Sequence, residues 1–424
     1  MSAAPLPSGA QTGGERMSLR ARWVFPVGGR PLENGTVEIT AGRISAIHVR
    51  PGRCSYDLGN AAIIPGLVNA HAHLELSDVA APLQPAAPFT AWLKEVLLHR
   101  RERASPSAAN NRVAWAAIGR GQAESVDGGT TAIGDIVGEG WTSEAVETQS
   151  QRVVAFLECL GLAPERAPVQ LESARRHLEG KSHVVRGLSP HAPYSVHPDL
   201  FRGLVDLAVQ YQAPVAMHLA ETQSERQLLL DGTGEFLSFL EGLGVWRADA
   251  IPRGMRPLDY LRELARAKCA LAIHGNYLAD DEVEFLAAHS NISVVYCPRT
   301  HAFFRHKTHP WQRLLARNIN VAVGTDSRAS NPDLGLWHEL LFLHSIVPDI
   351  DPSRLLRMGT INGASALGMQ AEIGTLEIGK SADLAVVSLG EGHATDPSAI
   401  LFYPENRIAA VMSAGIWQKA GIFL

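Results

Sequence analysis

Between about Pro65 and Gln370 two kinds of hydrophobic pattern alternate. Short apolar runs read as strands: LVNAHAHL, GTTAIGDI, RVVAFLECL, VVRGLSPHAP, APVAMHLAE, ALAIHGNYL, ISVVYCPR and VAVGTDS. Between them lie PFTAWLKEVLLHRRERA, DLFRGLVDLAVQ, SERQLLLDGTGEFLSFLEGLG and LDYLRELARAK. Their apolar residues recur at i, i+3 and i+4, the spacing of one helix face. Eight strand-then-helix units predict an α/β fold, a parallel (β/α)8 TIM-like barrel. An open doubly wound sheet would alternate in the same way. No GxGxxG opens the first unit, which weighs against a dinucleotide-binding version.

The two ends differ from this middle. RARWVFPV, GTVEITAG and RISAIHVR near the start, and IGTLEIGKSADLAVVSL and NRIAAVMSAGIWQKAGIFL near the end, are short strand patterns broken by Gly, Asn and Pro. They predict a small composite β-sandwich built from residues 17–64 and 371–424, around a barrel of residues 65–370. Residues 1–16 are small, polar and rich in Gly and Pro, without the apolar stretch of a signal peptide. They are expected to form a disordered leader, with Met17 as an alternative start.

Composition narrows the partners. Of 424 residues, 46% are hydrophobic and 19% charged, which excludes wholesale disorder. Lys and Arg total 38 against 43 Asp and Glu, a net charge of −5, so no basic footprint for nucleic acid is expected. No apolar run is long enough to predict a membrane span. The four cysteines, Cys54, Cys159, Cys269 and Cys297, form no CxxC pair, which excludes a disulfide framework and a cysteine-built zinc site. A cytoplasmic location and a small-molecule substrate are expected. The 17 histidines are more informative, because several stand where strand patterns end.

In a parallel barrel all such ends face one rim, so residues far apart in sequence can meet in one pocket. His71 and His73 are i and i+2 on a strand and point to one side. Two imidazoles on one side make half a metal site, and a carboxylate such as Asp326 can complete it. An isolated HxH is as often a pair of loop histidines. His218, after VAM, offers a third nitrogen. Glu221, three residues on, is placed to shuttle protons, the alternative being an N-cap or first-turn acid of the next helix. Asp326 in VAVGTDS has the alternative of a helix N-cap. His274 in LAIHGNYL offers a further ligand or a group that polarises water. His191, between prolines, offers a donor to a substrate heteroatom, or a loop-stabilising ring. Arg299, His301, Arg305 and His306 make a polar loop that could meet an anionic or heterocyclic substrate, or simply face solvent.

PGLVNAHAHLE, GGTTAIGD, SPHAPYSV, MHLAET, IHGNYL, CP, GTDS, TINGASALG and IGTLEIGKSADLAVV occur in this order from about residue 61 to 388. In them the chain resembles the amidohydrolase superfamily, in its cytosine deaminase, chlorohydrolase and adenosine-type deaminase branch. The resemblance implies the barrel with its composite sandwich. It implies one divalent metal ion, zinc with iron as the alternative, held by His71, His73, His218 and Asp326. Glu221, His274 and Asp326 would be catalytic, and His191 a substrate contact. Binuclear members carry a carboxylated lysine after the fourth strand, where this chain has Ser189-Pro190-His191, which argues for a single ion.

The implied reaction is hydrolytic deamination of an amino-substituted N-heterocycle with release of ammonia. The HLELS and PFTAWL segments look most like members acting on aminodeoxyfutalosine or related 6-aminopurine nucleosides, with Glu75 and Arg299 as further candidate substrate contacts. The alternatives are a chlorohydrolase or other C–N hydrolase, and a metal-free binding scaffold. The scaffold would predict broken ligands, and all four are present. A homodimer is common in the branch.

Overall fold

Eight parallel strands carry the site: β1 (Leu67–Ala72), β2 (Thr130–Val137), β3 (Arg152–Cys159), β4 (Val185–Pro190), β5 (Val215–Leu219), β6 (Ala270–His274), β7 (Ile292–Tyr296) and β8 (Val321–Val323). The computed structural model describes residues 16–49, 54–103, 108–146, 151–390 and 396–420. The strands pair in sequence order, each parallel to the next. Closure comes from a parallel bridge between Ala72 and Asp326, where the Thr325 and Asp326 amides both donate to the His71 carbonyl at 3.1 Å. The seam is pinned from the side by Asn69, whose Nδ2 donates to Thr325 Oγ1 at 2.7 Å.

Strand alternation sorts the side chains into two cores. Val154, Phe156, Ala216, Leu271, Ile273, Val295 and Ala322 fill the barrel interior. Their neighbours Val215, Met217, Leu219, Ala270, Ala272, Val294 and Val321 pack outward against the helices. Burial on both faces is why these strands read as continuous apolar runs rather than as alternating ones.

Two helical readings change in detail. SERQLLLDGTGEFLSFLEGLG forms two helices, Gln223–Asp231 and Glu235–Gly242, because Gly232 takes a left-handed φ of 71° and ends the first. The helix Ala108–Asp127 before β2 was not anticipated from the pattern.

The chain ends form two further sheets. One has four strands from Met17–Arg20 to Tyr56–Asp57; the other has six and mixes both ends, with Ala61–Pro65 antiparallel to Leu384–Ser388. Leu19, Val37, Ile39 and Ile44 of the first meet Ile63, Leu384, Val386 and Met412 of the second in one buried core. That is the composite sandwich. The expected leader, apart from Arg16, lies outside the described residues.

Candidate active site

At the carboxyl ends of the strands the polar side chains converge. Alternation would turn His71 away, since Val68 and Ala70 already face the barrel interior. A register irregularity between Asn69 and Ala72 re-phases the strand and brings His71 and His73 to the centre. His274 follows inward-facing Ile273 and should point outward. A left-handed φ of 70° there brings it back, and Asp326 has the same device with φ 58°. Strained non-glycine residues of this kind cluster at functional sites. His309 steadies the first, its Nε2–H donating to the His274 carbonyl at 2.8 Å.

The result is a tight set of donors. His73 Nε2 stands 3.4 Å from His218 Nε2, and Asp326 Oδ1 lies 3.6 Å from His71 Nε2 and 3.7 Å from His73 Nε2. Two overlapping groups, His71–His73–His218 and His71–His274–Asp326, each keep one ligand atom per residue within 4.8 Å of the others. His218 Nδ1–H donates to the His191 carbonyl at 3.0 Å, which leaves Nε2 to face the cluster. His71 is fully buried, yet among the described residues neither ring nitrogen has a hydrogen-bond partner. Unpaired nitrogens in a dry site are costly unless something else satisfies them, and three imidazoles with one carboxylate suit a divalent cation. The residues therefore fit a metal ion.

The electrostatics agree with that donor set. Burial pushes His73 down to about 3, with the neighbouring His71 adding to the effect, so its nitrogens are free to ligate. His274 is likewise pushed down to about 3 by burial. Burial acts to raise Asp326, but the neighbouring His71, His73 and His274 hold it well below the usual carboxylate range. Its Oδ2 accepts from Ser330 Oγ at 3.0 Å. Glu221 is different: burial, then Asp326 and Glu225, push its carboxyl well above the usual range. Its Oε1 lies 3.3 Å from His274 Nε2. The helix that follows is capped by Thr222, so Glu221 is not its N-cap.

This cluster forms the floor of a cavity of about 350 Å³. His73, His191, His218, Glu221, His274 and Asp326 line its inner end, while Leu97, Leu160, Leu243 and Val245 line its outer part. His191 sits 5.0 Å ring to ring from His218, and its Nδ1 is 2.7 Å from Ser195 Oγ.

The other two expected contacts stand elsewhere. Arg299 is not among the lining residues. Its guanidinium is held by Glu339 at 2.6 Å and Asp333 at 2.8 Å, which leaves no free edge for a substrate carboxylate. The reason is local: Glu339 is fully buried and needs a cation, and through Asn331, which donates to both Glu339 and the Thr325 carbonyl at 2.7 Å, this pair braces the turn bearing Asp326. Glu75 is also absent from the lining and turns to Arg100 at 2.6 Å. Sequence reasoning missed Arg100 and Glu158, which do line the cavity, and Asp135, whose Oδ1 accepts from the Leu74 amide at 2.9 Å and holds the turn after His73.

Comparison with known proteins gives a consistent picture. Residues 62–417 match the Amidohydrolase family. A 5-methylthioadenosine/S-adenosylhomocysteine deaminase of Syntrophobacter fumaroxidans is 28% identical over 391 residues, spanning 86% of this chain and 82% of the relative. An aminodeoxyfutalosine deaminase of Nitratiruptor sp. is 28% identical over 377 residues, spanning 82% and 87%. Among solved structures, an adenosine deaminase from Xanthomonas campestris with bound zinc superposes with a TM-score of 0.77 at 24% identity, covering 96% of this chain and 93% of that one. At that identity the likeness speaks for the fold.

Proposed function

Because the chain belongs to the amidohydrolase family, we propose that it is a hydrolytic deaminase of 6-aminopurine nucleosides, aminodeoxyfutalosine or a 5′-substituted adenosine foremost. The observation that carries this reading is the Glu221–His274 pair at 3.3 Å, standing beside the donor cluster on the cavity floor. His71, His73, His218 and Asp326 would hold a single divalent ion, zinc by the preference of such a donor set, which would supply Lewis-acid activation of water at neutral pH.

The chain's own residues then manage position and protons. Asp326 is ionised and orients water beside the donor cluster, with His274 opposite it. Glu221 is the proton carrier, since burial favours its protonated form and a neutral carboxyl can both give and take a hydrogen. Water adds its oxygen to the amino-bearing ring carbon. One water proton reaches the adjacent ring nitrogen by way of Glu221, and the other leaves with the amino group as ammonia. His191 contacts the heterocycle from the wall.

The test is ammonia release by the metal-loaded protein from aminodeoxyfutalosine, 5′-methylthioadenosine, S-adenosylhomocysteine, adenosine, guanine and cytosine. Turnover of one nucleoside at kcat/KM above about 10⁴ M⁻¹s⁻¹ is the expected result. Silence on every nucleoside, with metal bound, would overturn it.

A further inference from the structure

One buried carboxylate in the cavity wall has no part in the chemistry above. Glu158 is the penultimate residue of β3, where Val154 and Phe156 before it face the barrel interior, so alternation aims it inward as well. Its side chain is 4% exposed and lines the cavity. Arg100 Nη1 donates to Oε2 at 3.0 Å, and the same guanidinium reaches Glu75 at 2.6 Å on its other side. Oε1 has no hydrogen-bond partner among the described residues. The nearest ring nitrogen, His191 Nε2, is 3.9 Å away, beyond hydrogen-bond reach.

A buried acceptor without a donor is expensive, and a native site rarely leaves one without purpose. Burial acts to raise this carboxyl, but Arg100 outweighs it and holds the group down to about 2, so Oε1 is a charged acceptor at every working pH. The charge is matched by the guanidinium it touches, which makes a neutral donor the fitting partner. A hydroxyl also suits the place: it donates its one hydrogen to Oε1 and keeps its oxygen as an acceptor. The position matters equally. Glu158 stands beside His191 in the cavity wall, and Leu160 and Leu162 of the same segment line the cavity as well.

We infer that Glu158, positioned by Arg100, accepts a hydrogen bond from a sugar hydroxyl of the substrate, so that the enzyme reads a ribosyl group and not only the base. Glu75 is a positioning residue that acts through Arg100. This assignment rests on the nucleoside reading above and deepens it.

The experiment compares substrates that share a base and differ in one hydroxyl: adenosine against its 2′-deoxy and 3′-deoxy forms. Wild-type protein is expected to favour the riboside over one of these by roughly 10- to 100-fold in kcat/KM, the range for a hydrogen bond to a charged group. In Glu158→Gln that advantage should shrink to within about 3-fold. In Glu75→Gln the KM for the riboside should rise more than kcat falls, a split that a general loss of folded protein would not produce. Equal handling of all three substrates by the wild type overturns the inference without any variant. So does a Glu158→Gln protein that slows every substrate alike. If no aminopurine is deaminated, the functional reading fails by itself. The same ratio is then measured by calorimetry from dissociation constants of inosine and its deoxy forms, and absence of discrimination there overturns the assignment.

Discussion

In the proposed mechanism the carboxyl and the imidazole that face each other at Glu221 and His274 divide one task, and removing the carboxyl should separate proton transfer from metal binding. In Glu221→Gln the shape is kept and the proton carrier is lost. The expected outcome is a fall in kcat of about 10²- to 10⁴-fold with metal content unchanged, measured by steady-state kinetics and elemental analysis of one sample. A variant that turns over normally sinks the role. Arg299→Met makes the contrasting case. It changes a residue outside the cavity lining, but it strips the cation from fully buried Glu339. Breaking a buried pair in this way destabilises by about 3–5 kcal/mol, which denaturant titration would register. The difference between these residues explains what was legible. His71, His73, His218 and Asp326 stand at strand ends, and strand ends are visible in the sequence. Arg299 reads as part of a polar loop beside other basic residues, whereas it lies on the short helix Pro298–Phe303, and nothing local reveals that its partners lie 34 and 40 positions ahead. Arg100 and Glu158, 58 positions apart, were invisible for the same reason.

At the scale of elements, the site depends on how β1 and β8 approach each other. Gly324 follows β8 and packs directly on β1: a Cβ there would sit 3.0 Å from both the Cβ and the carbonyl oxygen of His71. Gly324→Ala should therefore push the first metal-site histidine aside. A destabilisation of about 1–3 kcal/mol is expected from the overpacking. Zinc affinity should drop roughly 10- to 100-fold, as when an outer support of a ligand is lost. Competition with a chromogenic chelator measures the second quantity, and unchanged affinity would mean that the seam yields without moving His71. The strands and their order could be read because burial on both faces leaves long apolar runs. Two features could not. Re-aiming of His274 depends on a left-handed φ that no residue preference announces. Helix Ala108–Asp127 contains Gly119 and Gly121, which lower its propensity, yet Gly121 is there for contact: a Cβ would lie 2.2 Å from Ser77 Oγ.

Across the whole molecule, sandwich and barrel share the segment Ala61–Leu67, so the strand that joins the β domain to Leu384–Ser388 leads directly into the strand that bears the histidines. Global stability and the site are thus coupled, and two buried carboxyls give that coupling opposite pH dependences. Glu158, held down to about 2, stabilises the fold above its ordinary value, and that contribution is lost as pH falls towards 2. Glu225 behaves in the other sense. It is fully buried, and burial pushes it up to about 7 although it accepts from the Ala220 and Glu221 amides at 2.8 and 2.9 Å. Between its ordinary value near 4.3 and 7 the folded state holds this proton more tightly than the unfolded state does. Its contribution is therefore present below the ordinary value and lost as pH rises through 7. Urea unfolding at pH 5 and pH 7.5 should show the wild type losing on the order of 2–3 kcal/mol more than Glu225→Gln over that interval. Parallel profiles would sink the assignment. Deprotonation has a second effect in the same window, because an ionised Glu225 makes stronger bonds to the two amides that fix the backbone of Glu221. As pH rises towards neutrality the fold as a whole gives up stability while the loop carrying Glu221 is held more firmly.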